Sequence, residues 1–408
     1  MTRRILFLTA LPLVVGALAG IGCLSEGGTA PAAAGPTDGG SNVPPLGDPD
    51  AGEVVLPPDA AVGDPTQNEA IADSTNLLTY QDNLATHPGC TTAGLAGRLS
   101  ADGKPAGYVS ATLPDFPCAV KEYAPLTEDP SKAIVVLFHG NSSTPRDFET
   151  NAEDVGTPVV TQLANQLLSD GWHVYSADMR FDKVYDLAGE NSNNNPGRNM
   201  DHGWTVPIAE ALIRSVHKQY PNQKINMAGF SLGTTIIRDA LRRMHHRGEQ
   251  PFSYVHALHL VSGANHGVNS YPRFCPDGVP SAQTMAAYVA CQMGNRDAYS
   301  ETDFSKRLNG PGGAWETPCA DGINAFGQFN VCGANRVLYS TAVHSDKPDG
   351  TLEDEFVSET SAKLNGAANR AVPQDDVSKY FFNGLFPHHY GAIRSQPGVD
   401  LAKQALER

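Results

Sequence analysis

Gly229, Phe230, Ser231, Leu232 and Gly233 form a Gly-x-Ser-x-Gly stretch directly behind the apolar run Ile225-Asn226-Met227-Ala228. A serine hydroxyl is a weak nucleophile. It attacks a carbonyl only when a neighbouring base takes its proton and donors face the developing oxyanion. Glycines two before and two after a serine suit a sharp turn between a buried strand and a helix, where larger residues would collide with the next elements. The backbone N–H of Leu232, at the start of the following helix, is one expected oxyanion donor. Asn141, just after His139-Gly140 at the end of another apolar run, supplies the second. For the remaining groups the expected chain order is serine, carboxylate, histidine. Asp346, Asp349 and Asp354 offer the acid, and His388 and His389 offer the base. Order alone leaves both choices open.

These residues need a scaffold, and the pattern around them supplies one. AIVVLFHG (133–140) is a continuous β-branched run, as expected of a strand covered on both faces. Further strands are read at 172–178, 224–230, 255–264 and 336–344. Between them, 159–171, 205–220 and 234–248 carry apolar residues at helical spacing, and VDLAKQALER closes the chain as a helix. Such alternation predicts a mostly parallel sheet flanked by helices. Residues 265–335 break the rhythm: they are loop-like, rich in Gly, Asn and Pro, and hold four cysteines. A connection of that length is expected to be a functional insertion or lid.

With these pieces in order, the chain from about Ala133 onward resembles the α/β-hydrolase superfamily, and within it the secreted bacterial lipases and esterases. The likeness rests on His139-Gly140 followed by Asn141, SAD at 176–178, Gly263-Ala264-Asn265 after a strand, and VLYST at 337–341. The resemblance implies an acid followed by a short apolar pair, which Phe356-Val357 provides behind Asp354-Glu355. It also implies a histidine in an HxG segment before the last helix, which His389-Tyr390-Gly391 provides. It therefore selects Ser231, Asp354 and His389 as the catalytic residues, with Asn141 and Leu232 at the oxyanion. Asp346 stays open because the acid loop is long, and His388 is read as a neighbouring or surface histidine. The pair His245-His246 at a helix end suits the helix dipole as partly charged groups.

The N-terminus points to export. Arg3 and Arg4 precede an apolar run from Ile5 to Ile21 that ends in Gly22-Cys23, the layout of a signal peptide over 1–22. LAGIGC resembles the lipobox of bacterial lipoproteins, which makes Cys23 a candidate for lipidation and hence for a membrane anchor. Residues 23–66 are rich in Gly, Pro and Ala with few large apolar side chains, so they read as a disordered tether. The catalytic domain is then 67–408. Without Cys23, six cysteines remain (Cys90, Cys118, Cys275, Cys291, Cys319 and Cys332), an even number suited to an oxidising compartment. Sequence proximity pairs Cys90 with Cys118, Cys275 with Cys291 and Cys319 with Cys332.

Charge excludes some partners. Loss of residues 1–22 removes two arginines and no acid, which takes the formal charge from −15 to −17. Such a surface repels phosphate backbones, so nucleic acid is not an expected partner. There is no zinc or calcium spacing, no dinucleotide fingerprint and no Walker loop, so neither metal nor cofactor is expected. The expected activity is hydrolysis of carboxylic esters, lipids among them. The alternatives are a polyhydroxyalkanoate-type depolymerase, a peptidase or thioesterase on the same scaffold, and an inactive surface-binding protein with this fold.

Overall fold

The computed structural model describes residues 112–408 except 117, 119, 142–144, 150–161, 178–205, 270–274, 276–292, 294–302, 321–331, 333–334 and 374–385. The signal segment, Cys23, the tether, Cys90 and Cys291 lie outside the described residues.

Seven strands form one sheet: β1 Val120–Tyr123, β2 Ile134–Phe138, β3 Val174–Ala177, β4 Ile225–Phe230, β5 Val255–Val261, β6 Leu338–His344 and β7 Ala368–Val372. Their order across the sheet is β1-β3-β2-β4-β5-β6-β7. All neighbours run parallel except β1, which is antiparallel to β3 at the edge. The helices are α1 Leu163–Ser169, α2 Val206–Gln219, α3 Leu232–His246, α4 Asp303–Asn309, α5 Glu359–Ala362, α6 Pro387–Arg394 and α7 Gln396–Leu406.

Strand periodicity divides the core into two layers. Ile134, Val136 and Phe138 of β2 face the cluster that holds Ile208, Leu212, Ile236 and Ile237 of α2 and α3. Val135 and Leu137 face the opposite cluster, with Leu163 and Leu167 of α1, Ile393 of α6 and Val399 of α7. Both faces of β2 are thus dry, which is why its sequence is unbroken by polar residues. Each such side chain contributes roughly 1.5–3 kcal/mol by leaving water.

One polar residue inside the sheet has a structural cause. Pairing of β4 with β5 shifts register between Ile225 and Asn226, leaving His256 as the extra residue. Asn226 repairs the ladder there: its Oδ1 accepts from Ala257 N at 3.1 Å, and its Nδ2 donates to the Leu406 carbonyl at 2.7 Å.

The five anticipated strands and the anticipated helices appear with small shifts of their ends. β1 and β7 did not stand out in the sequence. β7 is the Ala-Asn-Arg-Ala-Val edge strand, with Arg370 and Ala371 exposed, so it lacks an apolar run. The insertion, expected to be loop-like, contains helix α4. Its described part packs against α3: Arg238 donates to Asn309 Oδ1 at 2.6 Å, and Trp315 is buried in the main core. Cys319 and Cys332 form a disulfide, and Val337 N, just before β6, donates to Cys319 O at 3.0 Å. Cys118 and Cys275 are also disulfide-bonded.

Candidate active site

The strand order turns around between β2 and β4. The chain goes from β2 outward to β3, then crosses back to β4 on the other side of β2. At such a switch point the loops beyond the carboxyl ends of the two strands diverge and leave a crevice. Gly140 and Asn141 follow β2 there, and Ser231 follows β4.

Ser231 sits at φ 52°, ψ −121°, a conformation that a non-glycine residue adopts only when its surroundings enforce it. Here the enforcement is visible. A Cβ on Gly229 would lie 2.8 Å from the Gly233 carbonyl group, and one on Gly233 would lie 2.2 Å from Phe138 O. The turn is therefore as tight as backbone permits. Ser231 N donates to Val261 O at 2.8 Å, which anchors the turn to β5. Ser231 itself is half-buried, whereas its neighbours Phe230 and Leu232 are buried.

The end of β2 closes on the same spot. A Cβ on Gly140 would stand 3.2 Å from Ser231 Cβ. Gly140 N donates to Asp147 Oδ2 at 3.4 Å, and His139 Nδ1 lies 2.8 Å from Gly140 O. Asn141 follows, half-buried, its side-chain oxygen without a hydrogen-bond partner among the described residues.

His389 lies on α6 rather than in a loop, and its ring is held on three sides. Nδ1 is 2.9 Å from both carboxylate oxygens of Asp354. Phe230, the residue before Ser231, packs against it at 4.8 Å between centroids, and Phe356 stands edge-on at 4.9 Å. With Nδ1–H committed to Asp354, the ring presents Nε2 on its other side.

Asp354 is wholly buried, and burial pushes its carboxyl group up. The His389 charge, its hydrogen bond, and the Phe356 N–H at 3.0 Å outweigh burial and hold the pKa below the usual aspartate value. Val357 N adds a second backbone donor at 3.1 Å. Asp346 is engaged elsewhere: its Oδ1 accepts from Glu359 N at 3.2 Å, and burial, followed by the nearby carboxylates, raises its pKa. Asp349 accepts from Thr351 in an exposed turn.

The other histidines have structural surroundings. His388 bridges Glu353 and Glu355 at 2.9 Å each. His245 is buried, and burial lowers its pKa to about 4, so it is not the charged helix-end group that the sequence suggested. Burial likewise holds His259 at about 4, with Nδ1 2.7 Å from Ser340 Oγ. Among the described residues, no group of three or more His, Cys, Asp or Glu side chains is arranged to hold a metal ion.

A parallel sheet with one antiparallel edge strand, a serine turn after its central β4, an acid after β6 and a histidine after β7 is a defined architecture. This is the α/β-hydrolase fold. No protein-family model and no curated protein matches the chain. Among solved structures it is similar to mature lipase BlEst2 of Bacillus licheniformis, with 16% identity, 70% of this chain and 97% of that one covered, and a TM-score of 0.42. It is also similar to Aspergillus fumigatus lipase B, with 15% identity, 70% of this chain and 56% of that one covered, and a TM-score of 0.41. For Est1E from Butyrivibrio proteoclasticus the values are 12% identity, 71% and 90% coverage, and 0.36.

Sequence reading missed three residues around the site: Asp147, Arg394 and Glu355. Asp147 and Arg394 are single charges 247 positions apart that meet only in the fold. Glu355 was in view merely as the neighbour of Asp354.

Proposed function

We propose that the chain is a serine hydrolase that cleaves carboxylic esters through an acyl-enzyme. The observation that carries this reading is the Asp354–His389 pair lodged against Phe230, one residue from a serine held at positive φ. In the reaction Ser231 Oγ attacks the ester carbonyl while His389 Nε2 takes its proton. The tetrahedral oxyanion is held by the backbone N–H groups of Asn141 and Leu232, each worth roughly 3 kcal/mol by analogy with measured donors. Collapse breaks the C–O bond, and the imidazolium returns its proton to the leaving alcohol. Water then repeats the sequence on the acyl group. Asp354 keeps the imidazole in the Nδ1–H tautomer and stabilises its cation.

The test is direct. The wild-type protein should hydrolyse p-nitrophenyl esters and be labelled by a fluorophosphonate at Ser231, and Ser231→Ala should do neither. Turnover retained in that variant refutes the assignment. A chain-length series of esters, a polyhydroxyalkanoate film, a thioester and a peptide amide separate lipase, depolymerase, thioesterase and peptidase activities. A protein that is folded yet unlabelled would be the surface-binding alternative.

We also propose that the protein works outside the cytoplasm, anchored through Cys23. The support is the pattern over residues 1–23 together with disulfide-bonded Cys118, Cys275, Cys319 and Cys332. Incorporation of labelled fatty acid that Cys23→Ala abolishes is the expected result, and a soluble wild-type product refutes the anchor.

A further inference from the structure

Helix α6 carries His389, and its N-cap residue provides no side-chain cap. That residue is Phe386, in the left-handed conformation at φ 59°, ψ 47°, whose side chain makes no capping hydrogen bond. The first N–H groups of a helix have no intrahelical partner and carry partial positive charge. Here they are met from a distant segment. Glu355 Oε2 accepts from His389 N at 2.8 Å, and Oε1 accepts from His388 N at 3.1 Å. Oε1 also meets His388 Nδ1 at 2.9 Å, while His388 Nε2 reaches Glu353 Oε1 at 2.9 Å. The three consecutive acids therefore divide the work. Asp354 grips the ring of His389, Glu355 grips its backbone, and Glu353 fixes the histidine that braces Glu355. His344 closes the cluster, its ring edge-on to His388 at 5.7 Å.

We propose that Glu355 is a positioning residue for His389, supplying the missing cap of α6 so that the ring and backbone of that histidine are tied to one three-residue segment. The proposal rests on the serine-hydrolase reading. A ring fixed at both ends holds its Nε2 in one place, and misplacement of about 1 Å in such a group costs up to about 10²-fold in rate.

The experiment compares wild-type protein with Glu355→Ala, Glu355→Gln and His388→Gln. Glu355→Ala should lower kcat about 30-fold with KM within about 2-fold, and slow fluorophosphonate labelling of Ser231 by a similar factor. The low-field proton resonance of His389 Nδ1–H should broaden or vanish. A loss of stability alone would move none of these at a temperature where the variant is folded. Glu355→Gln keeps one acceptor oxygen and should recover part of the rate. His388→Gln leaves both backbone bonds in place and should cost less than Glu355→Ala. If Glu355→Ala does not fold, Glu355→Gln carries the test with an expected loss of about 5-fold, and wild-type rates in it overturn the proposal. Wild-type labelling and kcat in folded Glu355→Ala overturn it too. Absence of labelling in the wild-type protein instead sinks the serine-hydrolase reading beneath it.

Discussion

Asp147 and Arg394 form a buried ion pair, with Nη2 of the arginine 2.9 Å from Oδ1 of the aspartate. The other aspartate oxygen receives Gly140 N–H, and the arginine stacks over Tyr390 at 4.7 Å. One salt bridge thus joins the turn that bears the proposed oxyanion donor to the helix that bears His389. Arg394→Met would leave the carboxylate of Asp147 buried without its partner, a loss of about 3–5 kcal/mol. Thermal unfolding should show that drop, and kcat should fall by at least about 10-fold. Adding Asp147→Asn should return part of the stability, which a double-mutant cycle would measure.

The elbow glycines should separate folding from activity. Gly233→Ala puts a methyl group 2.2 Å from the Phe138 carbonyl oxygen, and backbone on both sides leaves it nowhere to go. The expected cost is roughly 3 kcal/mol or more, read as insoluble expression or a large fall in Tm. Gly140→Ala meets only side-chain atoms, at 3.1–3.3 Å, among them Ser231 Cβ. That variant should fold, with the proposed ester hydrolysis reduced about 10-fold because the methyl group presses on the proposed nucleophile.

The two acids that the sequence left open should behave differently. Asp354→Asn should lower kcat by about 10³–10⁴-fold, since the amide favours the wrong imidazole tautomer. Asp346→Asn keeps an acceptor oxygen for Glu359 N and should keep kcat within about 3-fold. Reversed outcomes would transfer the acid role to Asp346.

Stability should depend on pH through neutral buried histidines. His259 titrates at about 4 in the fold because burial disfavours its charge, against about 6.5 in an unfolded chain. Between those values the unfolded chain binds protons that the folded one refuses. Stability should therefore rise with pH across that window and be fully present above it, by roughly 2 kcal/mol from pH 5 to pH 7 for this residue. His245 adds to the slope in the same direction. Asp354, with its lowered pKa, keeps its contribution through this range and loses it only as pH falls through its folded value. Urea denaturation at the two pH values checks this, and His259→Gln should flatten the difference.

Much of this protein was legible in its residues because local physics writes it there. A strand dry on both faces must be unbroken Ile-Val-Val-Leu-Phe, and a turn where a Cβ would lie 2.2 Å from a carbonyl oxygen must be glycine, so β2, β4 and the elbow announce themselves. The order of serine, acid and histidine follows from the same sheet. Edge strand β7 stayed hidden, since Arg370 and Ala371 are exposed and the half-buried Asn369 is polar because it hydrogen-bonds Thr341 and Leu364. What only the tertiary structure decided is which charges meet. The His389–Asp354 contact, the Asp147–Arg394 bridge and the Glu355 cap of α6 each join segments without local periodicity. A carboxylate finds its partner by proximity in space, and spacing along the chain carries no record of that distance.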